Sequence, residues 1–100
     1  MKLTEVGYDD SGKGSLEWFL QNFFTHESTS EYENGEGDNY RTKSGFDIWA
    51  RGQRVIGVEV YPNGDWQANV VHAQTQNVQT THLPLKDWRV HQTQQIWPPK

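Results

Sequence analysis

The chain has 100 residues, no cysteine, 33% hydrophobic and 13% aromatic residues, and a formal net charge of −4. That length holds one domain with one modest core, which five tryptophans help to fill because each buries a large area. The lack of cysteine excludes a disulfide scaffold and cysteine zinc sites, and no apolar run approaches the roughly 20 residues of a membrane span.

Met1–Glu5 has no signal-peptide core, so the sequence reads as cytoplasmic. Residues 2–8 alternate weakly, as a short strand does. Gly7 to Lys13 then matches the start of the phosphate-binding pattern G-x-x-x-x-G-K-[ST]. Gly14 stands where a magnesium-binding hydroxyl belongs, and Asp9 and Asp10 would repel phosphates. Nucleotide binding at Gly12-Lys13 is therefore a remote alternative to a Gly-rich turn before a helix. No cofactor is implied.

Leu16, Phe19, Leu20 and Phe23 fall at i, i+3, i+4 and i+7, which predicts a helix over residues 15–25. Ser15 suits its N-cap, Glu17 its first turn and His26 its last turn. Residues 27–45 are polar and acidic. Asn34-Gly35 suits a hairpin turn between Tyr32 and Tyr40, and a long loop is the alternative. The carboxylates Glu31, Glu33, Glu36 and Asp38 lack the spacing of a calcium loop and read as a solvated acidic loop.

From Phe46 onward the chain reads as strands: 46–51, 54–61, 65–73, 77–83 and a short 88–92, with a turn at Gly52-Gln53. The hairpin at Pro62-Asn63-Gly64 fixes a register. Pro62 holds φ near −65°, which excludes a two-residue type I′ turn. A three-residue loop with Gly64 left-handed pairs Val60 with Trp66, Val58 with Ala68 and Ile56 with Val70. All six side chains then face inward, with Glu59, Gln67 and Asn69 outward. No Asp, Glu, Lys or Arg occurs between Trp66 and Leu85.

The expected architecture is α+β: one N-terminal helix packed on a curved antiparallel sheet of 4–5 strands, with a partly open SH3-like barrel as the alternative. Residues 1–95 form a single domain, and 96–100 a Pro-rich tail. His72, His82 and His91 lie on successive strands; a four-residue turn at 74–77 puts His72 and His82 on opposite faces, whereas a three- or five-residue turn would bring them together, and isolated strand histidines are the expectation, with no metal site. No set of residues marks a nucleophile or an acid–base pair.

Charge is uneven. Residues 1–40 carry two basic and nine acidic side chains, and residues 41–100 carry seven and four. The acidic half repels nucleic-acid phosphates and suits a basic surface on another protein. Trp49 is out of phase with Phe46, Ile48 and Ala50 and is expected on the outer face; Trp97 sits in the tail. Exposed aromatics favour interfaces. The sequence thus predicts a small non-enzymatic protein-binding module, such as a regulator, an accessory subunit or an inhibitor or immunity-type protein. Its contact residues would be Trp49, Tyr61, Trp97, Glu31, Glu33, Glu36 and Asp38. The alternative is a single-stranded nucleic-acid-binding domain using Trp49 with Arg51 and Arg54. An uncharged edge strand at 77–83 would also permit a homodimer.

Overall fold

The apolar stripe at Leu16, Phe19, Leu20 and Phe23 forms a helix, α1 (Ser15–Phe23), in a computed structural model that describes residues 15–92. Helix α1 is followed by seven antiparallel strands: β1 (Phe24–Tyr32), β2 (Gly35–Thr42), β3 (Phe46–Ala50), β4 (Gln53–Val60), β5 (Trp66–His72), β6 (Val78–Thr81) and β7 (Trp88–Gln92). The class is α+β as expected. The sheet has seven strands rather than 4–5, and among the described residues it does not close on itself.

Two corrections account for the extra strands. The helix stops at Phe23, and His26 pairs with Tyr40 in β1 instead of capping a helix end. The acidic segment is a long hairpin, not a loop. Its turn is Glu33-Asn34, with Tyr32 paired to Gly35, one residue earlier than Asn34-Gly35. The turn between β3 and β4 is likewise Arg51-Gly52, not Gly52-Gln53. Both residues have positive φ (52° and 77°), and Ala50 pairs with Gln53, as a two-residue type I′ turn requires.

The central hairpin follows the expected register at its closed end. Val60 pairs with Trp66 and Val58 with Ala68, Gly64 has φ 95°, and the Tyr61 N–H bonds the Asp65 carbonyl at 2.7 Å. Asn63 Oδ1 accepts the Asp65 N–H at 3.0 Å and fixes the turn. The register then breaks. A β-bulge between Val55 and Gly57 makes Val55, not Ile56, the partner of Val70. Val55 is 1% exposed and Ile56 37% exposed, which reverses the inward assignment of Ile56.

The bulge also marks a fork. One edge of β4 pairs with β5 along its whole length. The other edge pairs with β3 over residues 53–55 and with β2 over 57–60. The sheet therefore divides there into a β2–β1 branch and a β3–β7 branch. Thr42 Oγ1 donates to the Val55 carbonyl at 3.0 Å, satisfying a backbone group at the switch.

On the core face the two branches are joined by aromatics. Trp88, fully buried on β7, meets Phe19 of α1 (5.4 Å between ring centres), Phe24 of β1 (6.3 Å) and Trp66 of β5 (5.8 Å). Phe23 contacts Phe46 edge-on at 5.1 Å. Trp88 Nε1 donates to the Leu83 carbonyl at 3.0 Å, so its polar atom is also satisfied. Ile48, Val55, Val58, Ala68, Val70, Leu83, Leu85 and Val90 complete this core.

The bulge predicts unequal costs for adjacent truncations. Val55→Ala should lose about 2 kcal/mol of stability in urea unfolding, and Ile56→Ala no more than about 0.5 kcal/mol. Equal losses would place both side chains in the core and contradict the bulge.

Candidate functional site

Strand alternation places Glu59, Gln67, Asn69 and Thr80 on the face opposite the core, together with Asn39 and Arg41 of β2 and Trp49 of β3. This outer face carries a groove of about 650 Å³ at the fork. The 43–45 loop and Phe46 line one side, Gly57 and Asn69 the floor, and Val78 the far side. Ile56, turned out by the bulge, lies within it, and Val78 is 65% exposed. Two exposed aliphatics thus stand in a mostly polar face, where Trp49 and Val71 are half-buried.

Gly57 is required at the floor. A Cβ there would lie 2.7 Å from the Tyr40 carbonyl oxygen and 3.0 Å from Asn69 Oδ1. The backbone of β2 approaches closely only because no side chain intervenes.

The polar groups of this face are largely tied to one another. Asn69 Nδ2 donates to Glu59 Oε2 at 2.9 Å and to Thr80 Oγ1 at 3.1 Å. The Tyr61 hydroxyl donates to Glu59 Oε1 at 3.0 Å and lies 3.3 Å from Gln67 Oε1. Burial, the hydrogen bond to Glu59 and the Glu59 charge push the Tyr61 pKa up to about 12. Asn39 Nδ2 bonds Ser30 Oγ at 2.8 Å and Ser28 Oγ at 3.1 Å. On the rim, Arg54 pairs with Asp47 at 2.5 Å and Arg41 with Glu27 at 3.3 Å.

The residues singled out from the sequence do not form one cluster. Trp49 sits on the outer face, half-buried, opposite Arg54 on β4 and Arg89 on β7. Tyr61 is on the same face at the other end, edge-on to Tyr32 at 5.5 Å. Glu31, Glu33 and Glu36 are exposed at the tip of the β1–β2 hairpin, with Glu31 directly opposite Glu36. Asp38 is lower on that hairpin, 3.0 Å from His26 Nε2. Arg51 is in the type I′ turn beside Asp87, 2.7 Å away, and not beside Arg54. Trp97 and the Gly7–Lys13 motif lie outside the described residues.

His72, His82 and His91 do not converge either. His72 Nδ1 accepts the Gln74 N–H, His82 packs on Trp66 at 4.8 Å, and His91 pairs with Asp47 across β7 and β3. Among the described residues, no group of three or more His, Asp or Glu is arranged to hold a metal ion, and no helix is long and apolar enough to cross a membrane.

Sequence reasoning missed Ile56, Gly57 and Val78 as site residues. The available signal was Gly57 itself. A glycine inside a strand marks a bulge or a close backbone approach, and here it marks both. No protein-family model, curated protein or solved structure matches the chain.

The Tyr61 shift sets a pH dependence. Its folded pKa is raised above the ordinary value of 10.0, so its contribution to stability is complete below about pH 10 and is lost as pH rises toward 12. Tyr61→Phe should therefore show a smaller loss of stability between pH 10 and 12 than the parent protein in chemical unfolding. An unchanged alkaline slope would mean that the hydroxyl is not held as described.

Proposed function

We propose that the chain is a small non-enzymatic protein-binding module, acting as a regulator, an accessory subunit or an inhibitor or immunity-type protein. Its partner-binding surface is the outer sheet face centred on the fork groove. The observation that carries this reading is Ile56. The bulge turns it to solvent in the groove that exposed Val78 also lines, on a face where Trp49 and Val71 are the other apolar residues and most of the rest are polar. Apolar side chains inside a charged rim are the pattern of an interface core.

The acidic hairpin tip supports a partner with a basic surface. Two like charges directly opposite each other, Glu31 and Glu36, destabilise the free hairpin. Cations on a partner would relieve that cost. Glu33 in the turn adds to the same field.

A second reading rests on one observation. Trp49 faces the same side as Arg54 and Arg89, an arrangement that suits stacking of a single-stranded base between cations. Against it, Arg54 is neutralised by Asp47, Arg51 by Asp87, and the Arg89 guanidinium donates to the Lys86 and Trp88 carbonyls. This reading requires salt-sensitive quenching of Trp fluorescence by a short oligonucleotide, and its absence at low salt would remove it.

The protein-binding reading makes paired predictions for Glu31→Lys. The free protein should gain about 0.5 kcal/mol in thermal or urea unfolding, since repulsion becomes attraction. Capture of a specific partner from a lysate of the source cells should fall. Ile56→Asp should abolish that capture without changing the unfolding midpoint appreciably. If wild type, Glu31→Lys and Ile56→Asp all retain the same proteins in equal amounts, the outer face is not the binding surface.

A further inference from the structure

A forked sheet has three outer strands, and they differ in charge. β1 carries Glu27 and Glu31, and β7 carries Arg89. β6, Val78-Gln79-Thr80-Thr81, carries none and pairs only with β5 among the described residues. Its side chains are mostly exposed. Natural edges are usually guarded by charge, by proline or by a bulge, and β6 has only its shortness. In a protein of net charge −4 it is the outer strand that two copies can share without bringing like charges together.

The β5–β6 register shows which backbone groups are free. Val71 pairs with Val78, Val70 with Gln79 and Ala68 with Thr81. The His72 N–H bonds the Asn77 carbonyl at 3.1 Å, so the 72–77, 70–79 and 68–81 pairs are the hydrogen-bonded ones. The N–H and C=O of Val78 and Thr80 must then point away from β5.

We propose that β6 pairs with β6 of a second copy of this chain, antiparallel about a two-fold axis at Gln79. In this register Val78 of each copy lies opposite Thr80 of the other, and each pair exchanges both backbone hydrogen bonds. Gln79 meets Gln79 as the close, non-bonded pair on the axis. Shifting the register by one residue would oppose the core face of one copy to the outer face of the other, which the alternation of Val78 and Thr80 outward, Gln79 and Thr81 inward, forbids. The result is one sheet continuous through both copies, with the two Val78 side chains on a shared outer face. The pairing shares Val78 with the groove, but it is tested at Thr80, Gln79 and Thr81, which lie outside the groove's lining, so its failure and that of the protein-binding reading can be told apart.

Four hydrogen bonds and a small apolar contact make a weak dimer, with a dissociation constant on the order of 0.1–1 mM. Sedimentation of the full chain should show the dimer fraction rising across that range. Thr80→Pro removes an outward N–H that no described residue uses, together with the exposed Asn69–Thr80 hydrogen bond, so it should remain monomeric at the highest concentration while its unfolding midpoint falls by no more than a few degrees. The absence of native cysteine allows a direct test of register. Gln79→Cys should form a disulfide-linked dimer under mild oxidation, since residues in a non-bonded antiparallel pair lie within disulfide reach. Thr81→Cys should not, because the two Thr81 positions are offset by four residues, roughly 13 Å. A wild-type chain that stays monomeric at about 1 mM, with Gln79→Cys cross-linking no faster than Thr81→Cys, overturns the proposal and leaves the edge to another protein's strand. Faster cross-linking at Thr81 would overturn it too, by showing a different register.

Discussion

The architecture depends on a single irregularity, the bulge between Val55 and Gly57 in β4. One edge of that strand serves two partners, β3 on one side of the bulge and β2 on the other. Two strands cannot continue end to end along one edge unless the connecting 43–45 segment leaves the sheet, and the added twist of a bulge gives it room. Three local features make the irregularity tolerable. Ile56 absorbs the extra residue, the Thr42 hydroxyl satisfies the Val55 carbonyl, and Gly57 lets the Tyr40 carbonyl come close. The exposed isoleucine is a consequence of the same geometry.

The fork determines what each face must do. On the core side the space between branches is filled by large rings: Phe24 comes from one branch, Trp88 from the other, and Phe19 from the helix. Aromatic area compensates for few aliphatics, and Trp88 has its indole N–H satisfied by Leu83, so no polar cost offsets its burial. On the outer side no comparable filling occurs among the described residues, and the space remains as the groove. Core and groove are thus the two sides of one gap between diverging strand pairs.

Much of this was legible in the sequence where chemistry left a local mark. The helix stripe at Leu16, Phe19, Leu20 and Phe23 sits where its spacing requires. Pro62 and Gly64 set the hairpin register through their φ preferences, and Val60, Val58, Trp66 and Ala68 obeyed it. The β1–β2 hairpin was legible only in its approximate turn. β1 is exposed along most of its length, so no alternation of apolar and polar residues distinguishes it from a loop. Its pairing is a property of the whole sheet rather than of the segment. The bulge defeated the face assignment in the same way. A fixed period of two assigns Ile56 with Val58, and only the competition of β2 and β3 for one edge explains why Val55 takes its place.

The outer face also constrains how anything can bind there. The Tyr61 hydroxyl and the Asn69 amide N–H groups are already bonded to Glu59 and Thr80, so a ligand that bonded to those atoms would have to break existing bonds and gain little. The rim ion pairs Arg54–Asp47 and Arg41–Glu27 are partly exposed, and their contribution to stability is small. At Ile56 and Val78, by contrast, apolar area can be removed from water at no cost in broken contacts. The polar network has a different effect: it holds strands β4, β5 and β6 in one register, so the apolar pair is presented on a fixed frame. On the proposed reading, such a surface would select for shape and hydrophobic fit at the groove. Among the described residues, unbonded charge is concentrated instead at the hairpin tip, where Glu31, Glu33 and Glu36 stand exposed in solvent.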